Sequence, residues 1–583
     1  MGPRSEPSMD ATPPPLADDF TPDAAAGRTI AALAAEFWEF GLSESPQMCT
    51  YLGLDRGQDR LDERGALARA RQERAYDGLL RRVEAVPPNG LLPEDRLTRQ
   101  ILIRSVSENM EALRHHGWEW DLDQLFGPVV ALQDLATKHR LRSPADADDL
   151  VARLASVPRA FDGYVADLRD GLKSGRVAPR RSYERVLGQV RAFLATPPSD
   201  TAFFHGAKTL GAAWSPADAG SARSRLLAAI EGPVRTAFGS LLGFLETEYA
   251  GKSRGEPGVW SIPGGSDAYG FAIRRHTTTT LSPERIHQIG LEELEKNERE
   301  MLEIARAEGH AGDLRSFLDA VGKDPRHRLT TRDAVLGRYR DICARMDARL
   351  PEVFGTLPTT PYEVRALEAW REKDAPAAYY QPADLGGTRP GIFYANTHAP
   401  ESWPTYDMET LSYHEAVPGH HLQIAIAQKL EGIPEFRRHA HFTAYIEGWA
   451  HYTERLADEM GMYSTPLDRL GMLAGQAWRA ARLVVDTGMH ALKWPRQRAL
   501  DVLKKIRSGP SDDVENEVDR YVIWPGQALA YKIGQRTITD ARERARRRLG
   551  ASFDLRRFHD EVLKRGALPL ALFEDLVRSW DGR

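Results

Sequence analysis

The chain has 583 residues, 42% of them hydrophobic and 28% charged, the balance of a globular protein able to bury a large core. Its 78 Lys and Arg against 83 Asp and Glu leave a formal charge of −5, which argues against a nucleic-acid binder driven by bulk charge. No run of about 18 uncharged apolar residues offers a membrane span. Two cysteines, Cys49 and Cys343, exclude a disulfide framework and any thiolate-rich zinc or iron–sulfur site.

Residues 1–27 are rich in Pro, Asp and Ser, with Pro13, Pro14 and Pro15 in a row. They lack the apolar stretch of a secretory signal and cannot bury enough surface to fold alone, so a disordered tail and a cytoplasmic location are expected. Residues 28–583 are read as one large helical domain, with two lobes (28–250 and 280–583) around a cleft. From Thr29 to Tyr249 apolar residues recur at three- and four-residue steps, the mark of amphipathic helices. A long Gly-, Pro- and Ser-rich loop is expected over Gly251–Gly270. Ser282 then offers a cap, and Pro283 suits the first position of a long helix. Between Ala377 and Tyr406 turn signals surround GIFYANTH, which is short and β-prone, so a small sheet is predicted there. Helices resume to the end, and the arginine-rich run starting at Ala541 reads as a solvated helix face. The fold class expected is mainly α with a small sheet.

The chemistry concentrates in LSYHEAVPGHHLQIAIAQ, which holds His414, Glu415, His420 and His421. In the common zinc-hydrolase form H-E-x-x-H, two histidines at i and i+4 share one helix face and one metal, and the Glu points at the activated water. Here the i+4 position is Pro418, which cannot ligate and cannot continue a regular helix, so a kink or bulge is expected between Val417 and His420. His421 is seven residues from His414 and in phase with it, but a straight helix would carry it roughly 10 Å along the axis. His420 is nearer but about 120° out of phase. Either one can be the second ligand. The next helix carries Glu447, His451 and Glu454 at i, i+4 and i+7. Glu447 is the expected third ligand of one Zn2+ per chain, with His451 and Glu454 orienting the ligands. GIFYANTH is expected to be an edge strand that pairs with an extended peptide, with Tyr394 and Asn396 as substrate-binding candidates. Arg389, with Arg482 as a second option, can bind a substrate carboxylate through its planar fork.

Four separated segments, HEAVPGHHLQ, EGWAHYTE, RLVVDTGMH and YVIWPGQALAYKIG, together with YYQPADLGGTRPGIFYANT, resemble the bacterial domain of unknown function 885 family, from about residue 28 to the end. That family is grouped with the zincin-like metallopeptidases and is similar in architecture to helical peptidases such as angiotensin-converting enzyme and the oligopeptidases. The resemblance implies a helical, deep-cleft zinc peptidase with Glu415 as general base. It also implies a Tyr or His from the C-terminal segment as donor to the developing oxyanion, best matched by Tyr531 or by His490 with Asp486 one turn earlier to orient it; Tyr521 is a weaker match. Gln527 is read as facing the cleft. The expected function is a zinc metallopeptidase acting on short peptides, without nucleic-acid or membrane partners. The alternatives are a zinc amidohydrolase acting on a small non-peptide amide and a degenerate peptide-binding scaffold.

Overall fold

The computed structural model describes residues 23–583 except 212–213, 368–371, 373–375, 388 and 507–510. Most of the expected tail, residues 1–22, lies outside the described residues. The tail boundary at 27 moves back, because the Asp23 side chain caps a helix that already begins at Ala24.

The protein is mainly helical with one small sheet. The expected long helix is present as Pro283–Ala307: Pro283 opens it, and the Ser282 hydroxyl accepts the Arg285 N–H at 3.2 Å. The expected loop over 251–270 is shorter than read, because a helix starts at Gly265 and runs to Thr277. Among the described residues, no helix is long and apolar enough to cross a membrane.

The sheet has strands β1 (Tyr362–Ala366), β2 (Ala378–Gln381) and β3 (Gly391–Ala395) in the order β1-β3-β2. β1 runs parallel to β3, with Val364 opposite Phe393, and β2 runs antiparallel to it, with Tyr380 opposite Phe393. The GIFYANTH strand is therefore the centre of the sheet and not its edge. All five β3 residues are buried, as expected of a short strand paired on both sides; β2 is an outer strand.

Five helices build the region of the His–Glu motif: α1 (Met408–Glu415), α2 (His420–Lys429), α3 (Thr443–Glu459), α4 (Pro466–His490) and α5 (Ala530–Leu549). Thr465 caps α4 by accepting the Asp468 N–H at 3.1 Å. Helices α3 and α4 are buried along nearly their whole length, so their polar residues must find partners inside the protein. The largest core joins Ile30, Leu79 and Val106 near the start of the chain to Tyr413, Trp449, Phe558 and Phe573 near its end. A second core, with Phe161, Phe203 and Phe238, is built from residues 61–249. The division between cores thus falls inside the first expected lobe.

Helices α3 and α5 meet at Gly448 and Gly534, where a Cβ on Gly534 would overlap the carbonyl oxygen of Ala444. This close approach sets Glu447 of α3 beside the first turn of α5. Gly534→Ala is expected to cost about 1–3 kcal/mol or more by overpacking, measured as a lower denaturant midpoint. An unchanged midpoint would show that the two helices are free to separate.

Candidate metal centre

The site begins with an interruption. Helix α1 stops at Glu415, and Ala416 leaves the helical region at φ −94°, ψ −107°. The chain turns through Val417 and Pro418, which are joined by a cis peptide, and α2 restarts at His420. The turn is closed by the His421 N–H on the Ala416 carbonyl at 3.0 Å. A side chain at position 419 would overlap the His414 carbonyl, so glycine is required there.

This break separates the two candidate histidines. His420 swings beside His414, with ring centroids 4.8 Å apart at 84°. His421 turns the other way: its Nδ1 lies 2.9 Å from the Tyr380 hydroxyl and its ring packs on Tyr362 at 4.5 Å. Burial pushes its pKa down to about 4, so it remains a neutral ring between two tyrosines. His421 is in phase with His414 only along one continuous helix, and the chain does not form one.

Helix α3 supplies the carboxylate. Glu447 Oε2 lies 3.6 Å from His414 Nε2 and 3.3 Å from His420 Nε2. The ligand atoms of His414, His420 and Glu447 fall within 4.8 Å of one another. Glu447 Oε2 and His420 Nδ1 are buried and make no hydrogen bond, an arrangement proteins avoid unless the group has a further role. Two imidazoles and a carboxylate converging on one point suit a divalent cation of the zinc type. The electrostatics agree. Burial opposes a charged His414, but the Glu447 and Glu454 carboxylates outweigh it and hold its pKa up at about 9, so positive charge is favoured at this point.

Glu454, two turns along α3, orients His414. Its Oε1 is 2.8 Å from His414 Nδ1. A carboxylate there makes Nδ1 a donor and leaves Nε2 as the nitrogen that a cation would bind in place of a proton. The other oxygen, Oε2, takes His451 Nδ1 at 3.0 Å and the Gln476 amide at 3.0 Å. His451 is thus placed behind Glu454, and burial holds it neutral.

Sequence reasoning missed the groups that support Glu454. The Gln476 Oε1 accepts Lys532 Nζ at 2.7 Å and the Gln535 amide at 2.8 Å. Lys532 is 1% exposed and donates to this oxygen, so the Gln476 amide nitrogen faces Glu454, whose carboxylate accepts. A signal was present: Gln476, Arg479, Arg482 and Asp486 recur every three or four residues along the apolar middle of α4, a polar stripe on a buried helix.

The remaining expected residues divide. Glu415 Oε2 accepts the Tyr380 N–H of β2 at 2.9 Å, which ties the carboxylate to the outer strand. Tyr531 lies in the first turn of α5; its pKa is raised by burial and by the charge of Glu447, and the Gln527 amide bonds its hydroxyl. His490 is not available as a donor to substrate: its Nδ1 accepts the Val259 N–H at 3.0 Å and its Nε2 bonds the Tyr521 carbonyl at 2.9 Å. Asp486 does not orient it, but accepts the Tyr269 hydroxyl at 2.7 Å and the Gly526 N–H at 3.2 Å. Both belong to a structural knot joining α4 to neighbouring segments. Asn396 is 2% exposed and ties backbone, donating to the Glu372 carbonyl at 2.7 Å and accepting the His398 N–H at 2.9 Å, and Tyr394 is buried against Tyr379. Neither is placed to read a substrate, because the central position of β3 buries both. Arg389 lies between β2 and β3, its backbone N–H on Asp384 at 2.9 Å. Tyr521 and Arg482 bond each other at 3.0 Å.

A family model described as bacterial protein of unknown function (DUF885) matches residues 46–577. The chain belongs to the DUF885 family. Among solved structures, "the putative lipoprotein from Colwellia psychrerythraea" is similar at a TM-score of 0.91 and 26% identity, over 95% of this chain and 99% of that one. "A putative lipoprotein of unknown function from Shewanella oneidensis" shares the fold at a TM-score of 0.73 and 17% identity, over 94% and 100% of the two chains. No curated protein matches the chain.

Burial raises the Asp486 pKa to about 7 against the hydrogen bonds that oppose the shift. The native state then binds this proton where the unfolded chain, near pKa 4, has released it. The stability supplied by Asp486 is present below about pH 4 and is lost as pH rises towards 7. Asp486→Asn should therefore gain on the wild type in denaturant midpoint as pH is raised from 4.5 to 7.5. A difference independent of pH would contradict this assignment.

Proposed function

We propose that this DUF885 protein is a zinc-dependent hydrolase, a metallopeptidase acting on short peptides. The observation that carries the reading is the convergence of His414 Nε2, His420 Nε2 and a Glu447 oxygen that accepts no hydrogen bond. His414, His420 and Glu447 would hold the cation. A divalent cation there supplies Lewis-acid polarisation of a carbonyl and lowers the pKa of water. The protein's own groups supply the rest. Glu415 has one oxygen fixed on the Tyr380 N–H and would use its carboxylate to take a proton from the attacking water and deliver it to the leaving amine. The Tyr531 hydroxyl, oriented by Gln527, would donate to the developing oxyanion. An extended peptide lying along β2, the outer strand next to Glu415, would have its backbone paired without its sequence being read. The deep cleft and the short-peptide preference rest on the resemblance to helical peptidases.

Elemental analysis should find about one zinc per chain in the wild type and none in Glu447→Ala. Glu415→Gln should keep the zinc and lose cleavage of a short-peptide library by roughly 10²–10⁴-fold, followed by mass spectrometry. Cleavage by Glu415→Gln at the wild-type rate would remove Glu415 as the base. Zinc in neither protein would remove the hydrolase. A cytoplasmic location is proposed with it, and recovery of the protein in the membrane fraction of lysed cells would overturn that part.

A further inference from the structure

We infer that Arg482 and Arg520 form a carboxylate-binding subsite beside the metal centre, selecting peptides with a free C-terminus. The inference rests on the hydrolase reading for its place in a reaction, but the subsite stands on separate observations.

Arg482 is 8% exposed on α4. Its Nε donates to the Tyr521 hydroxyl at 3.0 Å and its Nη2 to Glu517 at 3.2 Å. Its Nη1 is buried and has no partner. Arg520 spends Nε and Nη2 on Glu517 at 3.2 and 3.0 Å and Nη1 on the Gln527 side-chain oxygen Oε1 at 2.7 Å. The Tyr521 hydroxyl also donates to Glu517, at 2.6 Å. Two guanidinium groups thus share the Glu517 carboxylate, and the Arg482 Nη1 is left without an acceptor in a largely buried place. An unpaired buried N–H is costly, and a guanidinium edge fits a carboxylate.

The cluster also touches the centre. The Arg482 guanidinium carbon lies 4.5 Å from the Tyr531 ring centroid. Gln527 accepts from Arg520 and bonds the Tyr531 hydroxyl, so both arginines are linked to Tyr531. Tyr531 lies in the first turn of α5, which packs on the α3 helix that carries Glu447. The subsite would take the C-terminal carboxylate of a peptide whose scissile carbonyl faces Tyr531. Arg389 also has a buried Nη1 without a partner, but it sits on the β2–β3 loop, where Asp384 is the first charge it feels.

The test is titration calorimetry with zinc-loaded Glu415→Gln protein, which keeps substrates uncut. The probes are trialanine, its C-terminal amide, and amidated Ala-Asp-Ala. Trialanine is expected to bind at least tenfold more tightly than its amide. Adding Arg482→Met should erase that difference, and Arg482→Lys, which keeps the charge but not the fork, should retain part of it. The Lys variant also serves if the Met variant does not fold. Equal affinity for acid and amide, or equal weakening of both by Arg482→Met, would overturn the subsite. Binding of amidated Ala-Asp-Ala as tight as that of trialanine would overturn the choice of the C-terminus over an acidic side chain. A preference for the free acid in a wild-type protein that cuts no peptide would sink the hydrolase reading and leave the subsite standing.

Discussion

The site depends on the helix break between Glu415 and His420. Without it, a continuous helix would set His414 and His420 on different faces and carry His421 two turns away. Proline removes the hydrogen bond that would continue α1, and glycine at 419 lets the backbone pass against the His414 carbonyl. Two short helices then present two imidazoles to one point, a result that the usual i, i+4 spacing reaches without any interruption. The remaining elements are arranged around that turn. Buried α3 brings Glu447 to the same point, and the Gly448–Gly534 contact brings α5 with Tyr531 close behind it.

A second ordering principle is the direction of hydrogen bonding. Lys532 donates to the Gln476 side-chain oxygen at 2.7 Å, and this fixes the Gln476 amide. Gln476 then donates to Glu454, and Glu454 accepts from His414. The chain of donors ends by turning His414 Nε2 towards Glu447. Lys532, 1% exposed and with its pKa held down at about 7 by burial, thus supports through Gln476 the carboxylate that orients His414.

Much of this was legible in the sequence where local chemistry decides. Ser282 and Pro283 announced a helix start, Pro418 announced a break, and the spacing of Glu447 and Glu454 put two carboxylates on one face. What could not be read depended on contacts between distant segments. The rotation of the chain through Ala416 to Gly419 chose His420 over His421. The pairing of β1, unrecognised in YEVRA, turned GIFYANTH into a central strand and buried Tyr394 and Asn396. His490 and Asp486 sit one turn apart as a catalytic pair would, yet the backbones of Val259, Tyr521 and Gly526 and the Tyr269 hydroxyl claim their polar atoms. Only a fold can show such claims, since every partner is 30 or more residues away.

The most direct test of the central claim is diffraction at the zinc edge from crystals of the zinc-loaded protein. The account predicts one anomalous peak enclosed by His414, His420 and Glu447. A peak on His421 or His451 instead, or no peak among these side chains, would contradict it.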